Sequence, residues 1–262
     1  MRSSTPDHWQ RFWEQADDLA LDEVYGTDGR MVREVMLLGP PAGKRVLEVG
    51  AGTGRDAVTL AKAGAEVWTL DYVAGSLKLT AQAADKAGVD IRTVCGDGTG
   101  SPFADGTFDV VFHQGLLEHF RDPLTLLDDN VRILKPGGYL IVDVPQTFHY
   151  YTVGKQVLIA LNRWFAGWET QFTPAQLEGW VRRGGATVER TYGDWMVPGL
   201  WYRALRKMLL TRLGWRLPMH PEPVPPLSRL GERCRGWFGS TRLALHTMPT
   251  IGVVGRKPEA GS

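Results

Sequence analysis

The sequence predicts an α/β fold built on a parallel sheet, and three observations predict it. Short apolar runs bounded by turn residues alternate with helical stretches, which is the rhythm of βαβ units. A glycine-rich segment, Gly50-Ala-Gly52-Thr-Gly54, follows the first of those runs and opens a helix. At 262 residues, 43% hydrophobic and 23% charged, the chain suits one large domain with added caps better than two independent cores.

The elements follow in order. An aromatic-rich helix is expected over His8 to Leu21, carrying Trp9, Phe12 and Trp13, and a second over Gly29 to Leu38, closed by Gly39-Pro40-Pro41. Residues 1–40 therefore read as an N-terminal helical lid. Strands are expected at Arg45 to Val49, Glu66 to Leu70, Ile91 to Cys95, Phe108 to Phe112 and Tyr139 to Val144. Helices between them span Asp56 to Ala63, Ala74 to Ala87 and Leu124 to Leu134. Lys135-Pro-Gly-Gly138 breaks the last of these helices from its strand, since proline cannot continue a helix and glycine supplies the positive φ of the turn. Thr173-Pro174 then opens a helix, Thr as N-cap, ended by Gly184-Gly185. Strands at Ala186 to Tyr192 and Leu243 to Val254 complete a core of residues 41–194 plus 242–258. Residues 195–241 form a basic, aromatic insertion or cap with a Pro221 to Pro226 cluster.

Composition excludes several classes. Thirty Lys plus Arg stand against 29 Asp plus Glu, so net charge names no partner. Its distribution is uneven: residues 1–195 carry 19 basic and 26 acidic residues, net −7, and residues 196–262 carry 11 and 3, net +8. Such a split marks either a surface for an anionic partner or two faces that attract each other within the fold. Two cysteines, Cys95 and Cys234, are too few for a disulfide framework and too far apart for a metal motif; no metal is expected. The first ten residues lack the apolar stretch of a signal peptide, and no apolar run reaches the roughly 18 residues of a membrane span. The expectation is a cytoplasmic chain.

The strongest constellation is Val46-Leu-Glu48-Val-Gly50-Ala-Gly52-Thr-Gly54-Arg-Asp56, a strand running into glycines and then a helix whose first amides are unpaired. The dinucleotide fingerprint wants glycine at the first, third and sixth loop positions, and here the sixth is Arg55. A Walker loop fails too, because no Gly-Lys-Ser/Thr follows. Asp71, 17 residues after Gly54 at a strand end, is placed to accept the hydroxyls of a ribose, and Tyr72 to lie on a purine. Asp97, in Cys95-Gly-Asp-Gly98, ends the third strand where an acceptor meets an adenine amino group. Singly, each Asp is equally a turn residue after a strand.

These residues, with Phe108-Asp-Val-Val-Phe112, Leu117-Glu-His119 and Leu134-Lys-Pro-Gly-Gly-Tyr-Leu140, carry a resemblance. In that order the chain resembles class I S-adenosylmethionine-dependent methyltransferases, in the small-molecule branch that includes the ubiquinone and menaquinone enzymes. The resemblance covers about residues 41–194 and, more weakly, 242–255. It implies a Rossmann-like, seven-stranded, mostly parallel sheet of order 3-2-1-4-5-7-6 with helices on both faces, and S-adenosylmethionine as cofactor with S-adenosylhomocysteine as product. It implies Glu48 and the Gly50 to Gly54 loop around the methionine moiety, Asp71 on the ribose, Asp97 and Gly98 at the adenine, and His113 and Gln114 near the methionine end. The aromatic segment 145–172 and the insertion 195–241 depart from the family's minimal pattern.

Methyl transfer from a sulfonium is an in-line displacement, in which alignment is the protein's main contribution and a base is needed only for a hydroxyl or an acidic carbon. His119 and His149 are the candidate bases; the alternative for His119 is a local role in holding its turn. An Asn/Asp-Pro-Pro-Tyr/Phe motif, which would cup a planar amine, is replaced by His113-Gln114-Gly115-Leu116, so an O or C acceptor is preferred over a DNA base. Trp13, Tyr150, Tyr151, Trp164 and Trp168 are candidates for lining an apolar acceptor pocket, or else they pack the caps. Trp201, Leu205, Met208 and Leu209 share one helical face opposite Arg203, Arg206 and Lys207. That pattern suits peripheral contact with an anionic membrane, or an ordinary helix covering the core. The reading is a methyltransferase of a small apolar or amphiphilic molecule. Two rivals stay open: an RNA methyltransferase using the positive tail, although nucleic acid is disfavoured, and a non-catalytic cofactor-binding scaffold.

Overall fold

The computed structural model describes residues 5–15, 29–164, 166–195, 199–218, 237–239, 241–259 and 261. Its centre is a seven-stranded sheet of β1 (Arg45–Val49), β2 (Glu66–Asp71), β3 (Ile91–Cys95), β4 (Phe108–Gln114), β5 (Leu134–Pro145), β6 (Thr187–Asp194) and β7 (Thr250–Arg256). The spatial order is β3-β2-β1-β4-β5-β7-β6, as the resemblance implies. β1 to β5 pair in parallel, and β7 runs antiparallel to both its neighbours.

Around it lie α1 (Pro6–Gln15), α2 (Arg30–Met36), α3 (Arg55–Lys62), α4 (Ala74–Ala87), α5 (Leu124–Ile133), α6 (Tyr150–Ala160), α7 (Pro174–Arg183) and α8 (Leu200–Leu213). Because both sheet faces are covered, the central strands are apolar on each side. Leu47, Val111, Leu140 and Val253 pack on one face with α5 and α7 residues such as Leu126 and Leu177. Val46, Val110, Ile141 and Val254 pack on the other with Met31, Val35, Ala57 and Leu60 of α2 and α3. At about 1.5–3 kcal/mol for each fully buried large aliphatic side chain, these two layers dominate stability. Thr173 and Gln176 form a reciprocal capping box at α7, satisfying amides the helix leaves open.

Several boundaries differ from expectation. β5 starts at Leu134 rather than Tyr139: its first residues pair with Phe108 through a register shift, and Gly138 lies so close that a Cβ would sit 3.1 Å from the Asp109 carbonyl. The final strand starts at Thr250, not Leu243. Residues Ala244–His246 form a 3₁₀ turn instead, and Pro249, which lacks an amide, ends the segment that could join the ladder. The expected helix to Leu21 is described only to Gln15; its remainder, Phe165 and the Pro221 to Pro226 cluster lie outside the described residues.

Candidate functional site

At the end of β1 the chain turns through Gly50 (φ 67°), Gly52 (φ 54°) and Gly54 (φ 65°), left-handed conformations that L side chains adopt only with strain. Gly50 N donates to the Leu70 carbonyl at 2.7 Å, binding the loop to β2, and Gly54 N donates to Ala51 O at 2.8 Å. Gly50 and Gly52 line a cavity of about 400 Å³, within the range of small-molecule sites. Gly54 is corrected: it does not line that cavity. A Cβ there would stand 2.4 Å from Thr80 Cγ2, so this glycine lets α3 pack against α4 rather than touching a ligand.

The cavity opens at the carboxyl ends of β1 to β4, where open parallel sheets collect ligands. Among the described residues its walls carry four acids, Glu48, Asp56, Asp71 and Asp97, against one cation, Arg55. Glu48 is 8% exposed and accepts from Ala57 N at 3.2 Å. Burial, and then the Asp56 charge, push its carboxyl well above the usual range. Asp71 is 7% exposed; its Oδ1 accepts from Val73 N at 2.9 Å, and its Oδ2 from Ser76 Oγ at 2.7 Å and Gly52 N at 3.4 Å. Burial raises its pKa while those three donors and the Tyr72 amide oppose the rise. Oδ1 thus keeps acceptor capacity for a ligand hydroxyl, with the carboxylate held rigid by its other bonds. Tyr72, half-exposed on the wall, is pushed up to about 12 by burial and then by Asp71 and Asp97. Asp97 Oδ1 caps its own turn by accepting from Thr99 N at 2.9 Å, and Gly98 lies where a Cβ would meet Leu126 Cδ1 at 3.0 Å.

α1 closes one side. Trp9 and Trp13 line the cavity, and Gln10 Oε1 accepts from Gly75 N at 3.2 Å, fixing this helix over the start of α4. Trp9 meets His119 edge-on at 5.2 Å between ring centres. His119 lines the cavity from a 3₁₀ turn, Leu117–His119, and burial lowers its pKa, so its ring is neutral at pH 7.

The other two histidines are corrected. Strand alternation sends Gln114 into the cavity and the preceding His113 to the opposite face, where it is fully buried and held down to about 3. His149 caps α6, its Nδ1 accepting from Tyr151 N at 3.2 Å, and does not line the cavity; the backbone amides at a helix start demand an acceptor there. Of the expected acceptor residues, Trp13 alone lines the cavity; Tyr150 lies on the outer surface. Tyr151, Trp164 and Trp168 gather beside it instead. Glu169 accepts from Trp164 Nε1 at 2.6 Å and pairs with buried Lys155, Tyr151 sits edge-on to Trp164, and Arg121 stacks on Trp168 at 4.6 Å. Next to this group Glu118 is buried and pushed up to about 8, first by desolvation and then by the Glu169 charge.

Sequence reasoning missed Ser76, Gln10 and Glu169. Their spacing to the motifs carries no signal, because contact is made only when α1, α4 and the 163–172 segment fold onto the strand ends. It also missed the buried pair of Arg30 and Asp143 (2.9 Å), which ties α2 to the end of β5 beside Gln114.

Residues 47–142 match the family described as a methyltransferase domain. Demethylmenaquinone methyltransferase of Renibacterium salmoninarum is 39% identical over 105 residues, 40% of this chain and 43% of that protein. Ubiquinone biosynthesis O-methyltransferase of Xanthomonas axonopodis pv. citri is 31% identical over 160 residues, 58% of this chain and 66% of that one. The match thus spans less than two thirds of either relative. In fold, the chain is similar to magnesium protoporphyrin IX methyltransferase of Synechocystis, solved with S-adenosylhomocysteine, at a TM-score of 0.60 and 16% identity over 96% of this chain and 93% of that one.

Proposed function

We propose that this chain, which carries a methyltransferase domain over residues 47–142, transfers a methyl group from S-adenosylmethionine to an oxygen or carbon of a small apolar or amphiphilic molecule. One observation carries the reading: a cavity under a glycine loop whose walls, among the described residues, hold four carboxylates and one cation. Two of them, Glu48 and Asp71, are buried and repel one another, and Asp56 adds to the repulsion on Glu48, which favours a cationic ligand, such as one bearing a sulfonium and an ammonium, and disfavours phosphates. The two positive-φ glycines, the spare acceptor capacity of Asp71 and the aromatic face of Tyr72 fit an adenosyl group.

When bound, that cofactor supplies an electrophilic methyl carbon. The residues of the chain do the rest. Glu48 and the amides after Gly50 would hold the amino-acid end, Asp71 the sugar, and Asp97 with Gly98 the purine. Trp9, Trp13 and Phe120 exclude water from the adjoining space and orient a flat acceptor. His119, neutral and at the cavity wall, is the base that would take an acceptor proton. Similarity to proteins named as quinone methyltransferases supports the acceptor class, and the His113-Gln114-Gly115-Leu116 sequence supports oxygen or carbon over an exocyclic amine.

Calorimetric titration with S-adenosylmethionine and S-adenosylhomocysteine tests the donor site. Incubation of cell extract with enzyme and isotopically labelled donor, read by mass spectrometry, identifies the acceptor. Absence of heat with both compounds would remove the proposal.

A further inference from the structure

The outer sides of α6 and α8 are apolar and uncovered. On α6, Val153, Val157 and Leu161 recur at helical spacing with Val157 55% exposed, while the opposite side buries Thr152, Lys155 and Ile159. On α8, Trp201, Leu205 and Met208 do the same, with Trp201 87% exposed, and Trp215 follows at 64%. Scattered exposed apolar residues are ordinary; helical stripes of them with Trp201 and Trp215 largely exposed are not.

Charge identifies what covers them. Apart from Lys155, which is buried and paired with Glu169, residues 149–163 and 199–218 contain six Lys or Arg and no Asp or Glu, in a chain whose net charge is +1. We propose that the outer faces of α6 and α8 dock on an anionic lipid bilayer, aromatic and aliphatic side chains entering the interface and the basic residues of 199–218 meeting the headgroups. A second copy of the chain is the weaker occupant, because an isologous pairing would set one positive surface against another. The arrangement deepens the proposed function, on whose acceptor class it rests. The inner side of α6 carries the Lys155 and Glu169 pair beside His119, so an apolar acceptor leaving the bilayer meets the cap next to the candidate base. Among the described residues no helix is long and apolar enough to cross a membrane, so docking is at the surface.

Flotation of the full chain with vesicles is the test. It should float with phosphatidylglycerol-containing vesicles at low salt, float poorly with pure phosphatidylcholine, and be released as salt is raised. Val153→Glu with Val157→Glu should lower the partition coefficient about tenfold, as should Trp201→Glu on the other helix. Arg206→Gln with Lys207→Gln should lower it roughly fivefold per charge. All these residues are at the surface or half-buried; calorimetric binding of S-adenosylmethionine by each variant verifies folding and keeps the donor reading separate from this one. No flotation of the wild-type chain, or flotation indifferent to the apolar variants, overturns the proposal. So does a concentration-dependent dimer that Val157→Glu dissociates while vesicles retain nothing.

Discussion

Replacing Asp71 with Asn separates binding from folding. The carboxylate is buried against Val73 N, Ser76 Oγ and Gly52 N, of which the last is long at 3.4 Å, and the Tyr72 amide also favours its charged form. The amide keeps the shape. Its oxygen can still accept from Val73 N, and its NH₂ can face Ser76 Oγ, which turns its proton to the Gly52 carbonyl 3.0 Å away. Only the weak Gly52 contact is lost, a cost of about 1 kcal/mol. Against that stands the sign of the ionisation. Burial raises the Asp71 pKa above its unfolded value, so the ionised form lowers stability as pH rises through the folded pKa, and Asn removes this penalty. Stability without ligand should therefore change by roughly 1 kcal/mol or less in either direction. A ligand hydroxyl, however, loses a charged acceptor, worth about 1.5–3 kcal/mol, so the dissociation constant for S-adenosylmethionine should rise roughly 10- to 150-fold. Isothermal calorimetry gives the affinity, and urea melts of the ligand-free protein give the stability. An affinity within twofold of wild type in a well-folded variant would refute the sugar-binding assignment.

Three further outcomes are expected. Gly54→Ala combines a left-handed φ of 65° with a Cβ 2.4 Å from Thr80 Cγ2, and should destabilise by about 2–4 kcal/mol in urea melts; a change under about 0.5 kcal/mol would contradict the packing role. If His119 is the base, kcat/KM for labelled methyl transfer should rise with pH through an ionisation below the usual 6.5, and His119→Gln should abolish that limb; an unchanged profile in the variant would dismiss the base. Arg30→Met strands Asp143, and should cost about 3–5 kcal/mol at pH 7.5. Burial pushes Asp143 up to about 6, above its unfolded value, so its protonated form is favoured in the fold and the cost should shrink by pH 5; an equal cost at both pH values would argue against the uncompensated charge.

Chain-local chemistry made much of the architecture readable. β1, β3 and α4 occur over the predicted residues because apolar runs, turn residues and helix periodicity act within a few residues of one another. The spacing from Gly54 to Asp71 and Asp97 placed three strand ends together because parallel βαβ units repeat at a regular length. Elsewhere local signals misled. A histidine and a glutamine side by side at the end of β4 look equally available, yet the pleat gives one to the cavity and the other to the core. Gly54 looks like a ligand-facing glycine in sequence, while its reason is Thr80, 26 positions away.

By itself, then, the sequence determined the order of strands and helices, the glycine turn and the acids at the strand ends, since each depends on backbone preferences and short-range periodicity. Tertiary structure alone decided which side chains share a space. It chose Gln114 over His113, set Ser76 on Asp71 and Glu169 against Lys155 near His119, and left the outer sides of α6 and α8 bare. The physical reason is that burial and desolvation depend on contacts between distant segments, and their energies exist only once the layers have closed on one another.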